Sequence, residues 1–297
     1  ANTSKGGRVM RTLLVATDLS ARSERALERA LALAREAGAA LVVVHVVDDD
    51  LPTALADAHA DTARGTLAER CDALAAGERP AAAAGEGEVT IEVLHGRPHA
   101  EIRAAATRHG ADLIVVGEHR RDGWRDMFRG TTAERVVRTC GVPVLLVREP
   151  VTAPYRRVLA AVDFSVFARR AVECALRLLP DADIELIHAF NVPFEGFLKG
   201  EDTRDQMVAE IDARFRKLLD EEMAGFLAHL DDAARHLHCV MQEGGVREVI
   251  TARVQQTAPD LLVIGTHGKS GLAHAVLGSV AEDLLRSPPC DVLTVGA

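Results

Sequence analysis

Apolar residues along the chain fall into two alternating patterns. Short unbroken runs such as Leu41-Val42-Val43-Val44 and Leu113-Ile114-Val115-Val116 predict strands buried on both faces, as in a parallel sheet covered by helices. Between them, apolar positions recur every three or four residues. Leu27, Ala30, Leu31 and Ala34 form one helical stripe ended by Gly38, and Ala168, Ala171, Val172, Ala175 and Leu179 form another ended by Pro180. Ser20 and Ser165 stand at the N-cap positions of these two helices. Strand–helix alternation with right-handed crossovers predicts a doubly wound open α/β sheet.

The pattern occurs twice. Leu13-Leu14-Val15-Ala16-Thr17-Asp18-Leu19-Ser20 returns as Val158-Leu159-Ala160-Ala161-Val162-Asp163-Phe164-Ser165. The segment ending in His45 returns around His188, and Asp112–Gly117 returns as Asp260–Gly265. Offsets of 145, 143 and 148 in unchanged order predict a duplicated domain of about half the chain. The expected domains are 10–149 and 155–297, each with about five strands, divided where Pro150 and Pro154 interrupt both patterns. Residues 51–76 and roughly 201–233 read as packing or lid helices, and Gly77–Gly85 reads as a loop. Residues 1–9 read as a leader or an added segment before Met10.

Composition and charge narrow the classes. Of 297 residues, 48% are hydrophobic and 27% charged, an ordinary globular balance. No apolar run approaches the roughly 18 residues that span a bilayer, and the N-terminus lacks a signal-peptide core, so a cytoplasmic protein is expected. The net charge of −9 divides as −2 in residues 1–150 and −7 in 151–297, and Phe, Tyr and Trp total ten. That balance argues against nucleic acid as a partner, which calls for a basic footprint or aromatic platforms. Five scattered cysteines without a Cys-x-x-Cys pair read as buried thiols in a reducing compartment, with no zinc site. His236 and His238 read as surface or packing residues on a strand, and His45 and His188 as core histidines.

The candidate chemistry lies in Gly265-Thr266-His267-Gly268-Lys269-Ser270, continuing to Gly278-Ser279-Val280. Glycines after an apolar strand let the backbone approach an anion, and the following helix N-terminus offers free N–H groups. A Walker P-loop requires glycine where Val263 stands, and no Gly-x-Gly-x-x-Gly follows the first strand.

The spacing Gly265-x2-Gly268-x9-Gly278-Ser279 matches the pattern of the universal stress protein family. With the Asp163-Phe164-Ser165 turn, the His188 strand end and the closing Pro289–Val295 strand, the chain resembles that family's ATP-binding branch in tandem two-domain form. The resemblance implies an adenine-nucleotide-hydrolase-like fold with the first and fourth strands of each copy adjacent. Carried over by residue, it implies Asp163 near the adenosine and the backbone of Ala161 and Ala189 against adenine. It further implies that Gly265 and Gly268 admit the phosphates of ATP, accompanied by Mg2+, while Gly278, Ser279 and Val280 bind them. Lys269 adds a charge or is simply solvated. It also implies pairing of the closing strands Val142–Val147 and Val292–Val295 within one chain, with a further homodimer of chains as an expectation.

The halves differ. Gly117, Gly130 and Thr131 keep the spacing beside Asp18, but Arg120 replaces the second glycine. Arginine either blocks the site or pairs with phosphate; a glycine chosen for positive φ tolerates it poorly, which favours a degenerate N-terminal site. Trp124 among Arg121, Arg125 and Arg129 either anchors a partner or packs beneath its own loop.

The leading functional expectation is an ATP-binding regulatory module of the stress response. The rival is a slow ATPase or adenylyl-transferring enzyme using the same pocket, although no general base or adenylation motif accompanies the glycines. A third reading is a nucleotide-free interaction scaffold.

Overall fold

The computed structural model describes residues 10–49, 52–77, 87–118, 132–191, 202–230, 237–268 and 277–296. The N-terminal half runs β1 (Thr12–Thr17), α1 (Ala21–Ala37), β2 (Ala40–Val47), α2 (Thr53–Gly77), β3 (Val89–His95), α3 (Pro98–His109), β4 (Leu113–Gly117), α4 (Thr132–Thr139) and β5 (Val144–Val147). The C-terminal half repeats it as β6 (Arg157–Ala161), α5 (Val166–Leu178), β7 (Asp183–Phe190), α6 (Asp202–Ala228), β8 (His238–Glu243), α7 (Val246–Thr257), β9 (Leu261–Gly265), α8 (Ser279–Arg286) and β10 (Asp291–Val295). The α/β alternation, the parallel pairing and the adjacency of first and fourth strands all follow the sequence expectation.

The strands form one ten-stranded sheet in the order β3-β2-β1-β4-β5-β10-β9-β6-β7-β8. Within each half the pairing is parallel, and the halves join through the antiparallel pair β5–β10, with Val292 opposite Leu146 and Thr294 opposite Val144. Apolar side chains on both sheet faces bury into two extended clusters, and each cluster draws residues from both halves. Leu13, Leu113, Leu145 and Leu159 are among the largest wholly buried side chains.

Local devices repeat with the sequence. Ser20 caps α1 by accepting from the Ser23 N–H (3.3 Å), and Ser165 caps α5 by accepting from the Ala168 N–H (3.1 Å). Asp112 accepts from the backbone N–H of Arg11 (2.8 Å) and Thr12 (3.2 Å). Its counterpart Asp260 accepts from the N–H groups of Arg156 and Arg157, both at 2.9 Å. Each aspartate thereby ties the start of its half's first strand to the start of the fourth.

The segment joining the halves is held by one buried carboxylate. Asp291 accepts from the backbone N–H of Arg148 (2.8 Å) and Glu149 (2.9 Å) and from the Tyr155 hydroxyl (2.5 Å). Arg29 lies over the Tyr155 ring at 3.9 Å, donates to the Ala153 carbonyl at 2.9 Å, and brings its Nε to 3.9 Å from Asp291. Burial, and next the Asp291 charge, push the Tyr155 hydroxyl well above its ordinary pKa.

His45 is buried, as expected, and its Nδ1 donates to the Thr17 carbonyl at 2.9 Å. Burial holds its pKa below the usual histidine value. The folded state therefore resists protonation at a position the unfolded chain protonates freely. The resulting stability is complete above about pH 6.5 and is lost as pH falls through the lower, folded value. Thermal melting is expected to shift down between pH 7.5 and 5.5, and less so in His45→Asn. An equal shift in both proteins would assign the effect to other groups.

Candidate functional site

β6 and β9 are adjacent and parallel, and their connections leave to different helices, so a crevice opens at their C-terminal ends. There lies a cavity of about 300 Å3, at the lower end of the roughly 300–1,000 Å3 common for small-molecule sites. Its apolar wall consists of Ile187 and Ala189 on β7, Ile264 on β9, and Val246 with Ile250 on α7. Gly265–Gly268 and Gly278–Ala281, the latter at the start of α8, also line it. All eight residues expected from the sequence, Ala161, Asp163, Ala189, Gly265, Gly268, Gly278, Ser279 and Val280, line this one cavity.

The turn after β6 is built under constraint. The Asp163 Oδ1 accepts from the Ser165 N–H at 3.0 Å, and Phe164 between them takes φ +61. Leu19 in the matching Asp18 turn takes φ +63. Bulky residues rarely occupy that region, and such strain collects at sites where geometry matters. Phe164 is held by ring contacts to His188 (4.3 Å) and Phe226 (6.0 Å). Asp163 thereby stands at the cavity wall, with its Oδ2 turned toward Gly268.

The glycines act through space rather than through positive φ. A Cβ on Gly268 would lie 2.8 Å from Asp163 Oδ2, and the only positive-φ glycines among the described residues are Gly38, Gly96, Gly110 and Gly244. At Gly268, therefore, the constraint is the neighbouring carboxylate and not a positive φ; the corresponding position in the N-terminal half, Arg120, lies outside the described residues. A Cβ on Gly265 would meet the Ala168 backbone nitrogen at 2.9 Å, and one on Gly117 would meet the Arg22 carbonyl oxygen at 2.9 Å. These two glycines let the first helix of each half pack against the end of its fourth strand.

The start of α8 differs from the starts of α1 and α5. Its N-cap is Gly278, which supplies no side-chain oxygen, so Ser279 is the first helical residue and not the cap. Among the described residues no side chain caps α8, and its first residues Ser279, Val280 and Ala281 line the cavity, so the positive end of the helix dipole lies at its wall. His188 also lines the cavity, its Nδ1 held by the Val162 carbonyl at 2.7 Å. Val246 and Ile250 escaped the sequence reading; their i, i+4 spacing, matched by Pro98 and Ile102, was the available signal. Lys269 lies outside the described residues.

A second cavity of about 230 Å3 occupies the same place in the N-terminal half. Asp18, Val44, Val46, Ile102, Gly117 and Ala133 take the positions of Asp163, Ile187, Ala189, Ile250, Gly265 and Ala281, while Glu118 stands where the other half has Thr266. Burial pushes the Asp18 carboxyl up, but hydrogen bonds from Ser20 and Ser23 together outweigh it and hold the group below the usual range. Arg120, Trp124, Gly130 and Thr131 lie outside the described residues.

The sequence model of the universal stress protein family matches residues 10–148 and 154–296. The chain belongs to the universal stress protein family. The family resemblance seen in the glycine spacing thus extends over both halves. Universal stress protein E of Photorhabdus laumondii is 24% identical over 95% of this chain and 94% of its own length. A universal stress protein of Archaeoglobus fulgidus shares the fold with TM-score 0.67 at 19% identity, covering 96% of this chain and 98% of the other. A universal stress protein solved in complex with cAMP is 24% identical and covers 48% of this chain and 98% of its own, with TM-score 0.38.

Among the described residues no helix is long and apolar enough to cross a membrane, and no group of three or more His, Cys, Asp or Glu side chains is placed to hold a metal ion. The five cysteines are unpaired and buried or half-buried. Burial pushes Cys174 up to about 11 and Cys290 up to about 12, which leaves both unreactive as nucleophiles near neutrality.

Proposed function

We propose that the C-terminal cavity binds an adenine nucleotide, ATP with Mg2+ on its phosphates, and that this universal stress protein acts as a nucleotide-dependent regulatory module. One observation carries the reading: eight residues scattered from Ala161 to Val280 converge on a single cavity that has Ile187, Ala189, Val246 and Ile250 among its apolar lining and the start of α8, with glycine as its N-cap, in its wall. The slot between Ile187, Ala189, Val246 and Ile250 suits a flat base. Asp163 lies where a ribose hydroxyl would donate to it. The amides of Ser279 and Val280, with the Ser279 hydroxyl, are placed to receive phosphate oxygens. Since the C-terminal half carries −7, the attraction for phosphate is local, from oriented amides, rather than from a surrounding basic field.

The N-terminal cavity keeps apolar residues at the matching positions but is lined by Glu118, itself 3.9 Å from Arg148, where the other half has Thr266; a carboxylate there favours phosphate less, which supports one nucleotide per chain. Chromatography of nucleotide released by denaturing freshly purified protein tests this. About one ATP per chain is the expected result, by the mass-action logic of a ligand carried through purification. Two per chain would overturn the asymmetry; none, even after incubation with ATP and Mg2+, would overturn the nucleotide reading. Predominantly ADP would favour hydrolysis in the same pocket.

A further inference from the structure

The helix that closes the C-terminal cavity also grips the other half of the molecule. Ser279, Val280 and Ala281, the first turn of α8, line that cavity. Thr132 and Ala133, at the start of α4, line the N-terminal one. The two helices exchange charges across the junction, each through a glutamate in its first turn and an arginine in its last. Arg286 on α8 reaches Glu134 on α4 at 3.6 Å, and Arg138 on α4 reaches Glu282 on α8 at 3.5 Å. Glu134 and Glu282, like Arg138 and Arg286, are separated by 148 residues, the same offset as the fourth strands. The cluster is therefore a pseudo-symmetric clasp, and Arg286 also pairs with Glu282 on its own helix.

The clasp is not an ordinary surface pair. The Glu134 side chain is 3% exposed, so its charge is shielded from solvent and its partner is costly to lose. Around it, Ala133, Val136 and Val137 of α4 and Ala281, Leu284 and Leu285 of α8 belong to one apolar cluster that crosses the junction. Each helix is only eight residues long. A shift at the first turn of so short a rigid element is carried to its last turn rather than absorbed between them.

We propose that α4 and α8 couple the two cavities, so that a nucleotide settling on the first turn of α8 tightens α4 in the opposite half through the Glu134–Arg286 and Arg138–Glu282 pairs. This rests on the nucleotide reading of the C-terminal cavity and adds its regulation. Linkage makes the effect reciprocal: whatever alters α4, including an occupant of the N-terminal cavity, alters affinity for nucleotide at α8 by the same factor.

Amide hydrogen exchange on the full chain, with and without ATP and Mg2+, tests the coupling. In the unmodified protein ATP is expected to slow exchange in α8 and also in α4, although α4 belongs to the other half. Arg138→Gln, a half-exposed position that touches neither cavity, is expected to weaken ATP about threefold or more and to remove the slowing in α4 while α8 still responds. Slowing at α8 with none at α4 in the unmodified protein would overturn the coupling alone. So would an Arg138→Gln protein with unchanged affinity. No slowing at either helix would overturn the nucleotide reading, and the coupling with it.

Discussion

Gly268→Leu is expected to abolish ATP binding, weakening it at least about 100-fold, or roughly 2.7 kcal/mol, while leaving the fold intact. The added Cβ falls 2.8 Å from Asp163 Oδ2 and meets no backbone atom of the described residues within 4 Å, so the collision is with a side chain that lines the cavity. To relieve it, either Asp163 leaves its place in the strained turn or the leucine occupies the space between the strand end and α8. Both outcomes remove ligand contacts. Calorimetric titration with ATP, paired with thermal melting, separates loss of binding from loss of structure. Full affinity in a normally folded Gly268→Leu protein would remove this loop from the site.

The natural comparison, a bulky residue at Gly117, is not a neutral control. A Cβ there meets the Arg22 backbone at 2.9 Å, and at Gly265 it meets the Ala168 backbone at 2.9 Å. Either substitution pushes the first helix of its half off the sheet and destabilises the protein before any ligand is considered. The suitable control is Val46→Phe, which fills the N-terminal cavity from β2 at a half-buried position; it is expected to leave ATP binding unchanged.

Asp291→Ala is expected to be the most destabilising single change at the junction. The carboxylate is completely buried and serves two linker N–H groups, the Tyr155 hydroxyl and the Arg29 guanidinium. Its removal leaves a buried cation and three donors without their acceptor. Breaking a buried ion pair from one side costs about 3–5 kcal/mol, which for a chain of this size lowers the melting temperature by about 10 °C. Asp291→Asn keeps the shape but not the charge and is expected to fall between. Thermal melting by circular dichroism checks the order, and a melting point within 2 °C of the unmodified protein, the smallest shift a single kcal/mol gives, would show that β5–β10 pairing alone holds the halves together.

Local signals of the fold lie openly in the sequence because they are short-range. Ser20 and Ser165 cap helices through residues three positions away, Gly38 ends α1, and unbroken valine and leucine runs become central parallel strands. Duplication made each of these signals appear twice, and the family resemblance that the glycine spacing carries implied the residues that meet at the cavity. What short-range patterns leave open depends on groups brought together from distant parts of the chain. Asp291, read only as part of a closing strand, becomes a buried acceptor once Arg29 and Tyr155 are packed beside it. Val246 and Ile250 become a cavity wall only when α7 lies against β7. Gly268 is required by a carboxylate 105 residues earlier, and Glu134 finds Arg286 only because β5 and β10 pair antiparallel and bring two short helices into reach. Periodicity and caps are encoded within a few residues, so the chain alone determined its elements and their duplication. Burial, desolvation and steric contact are properties of the assembled molecule, and these were decided by the tertiary structure.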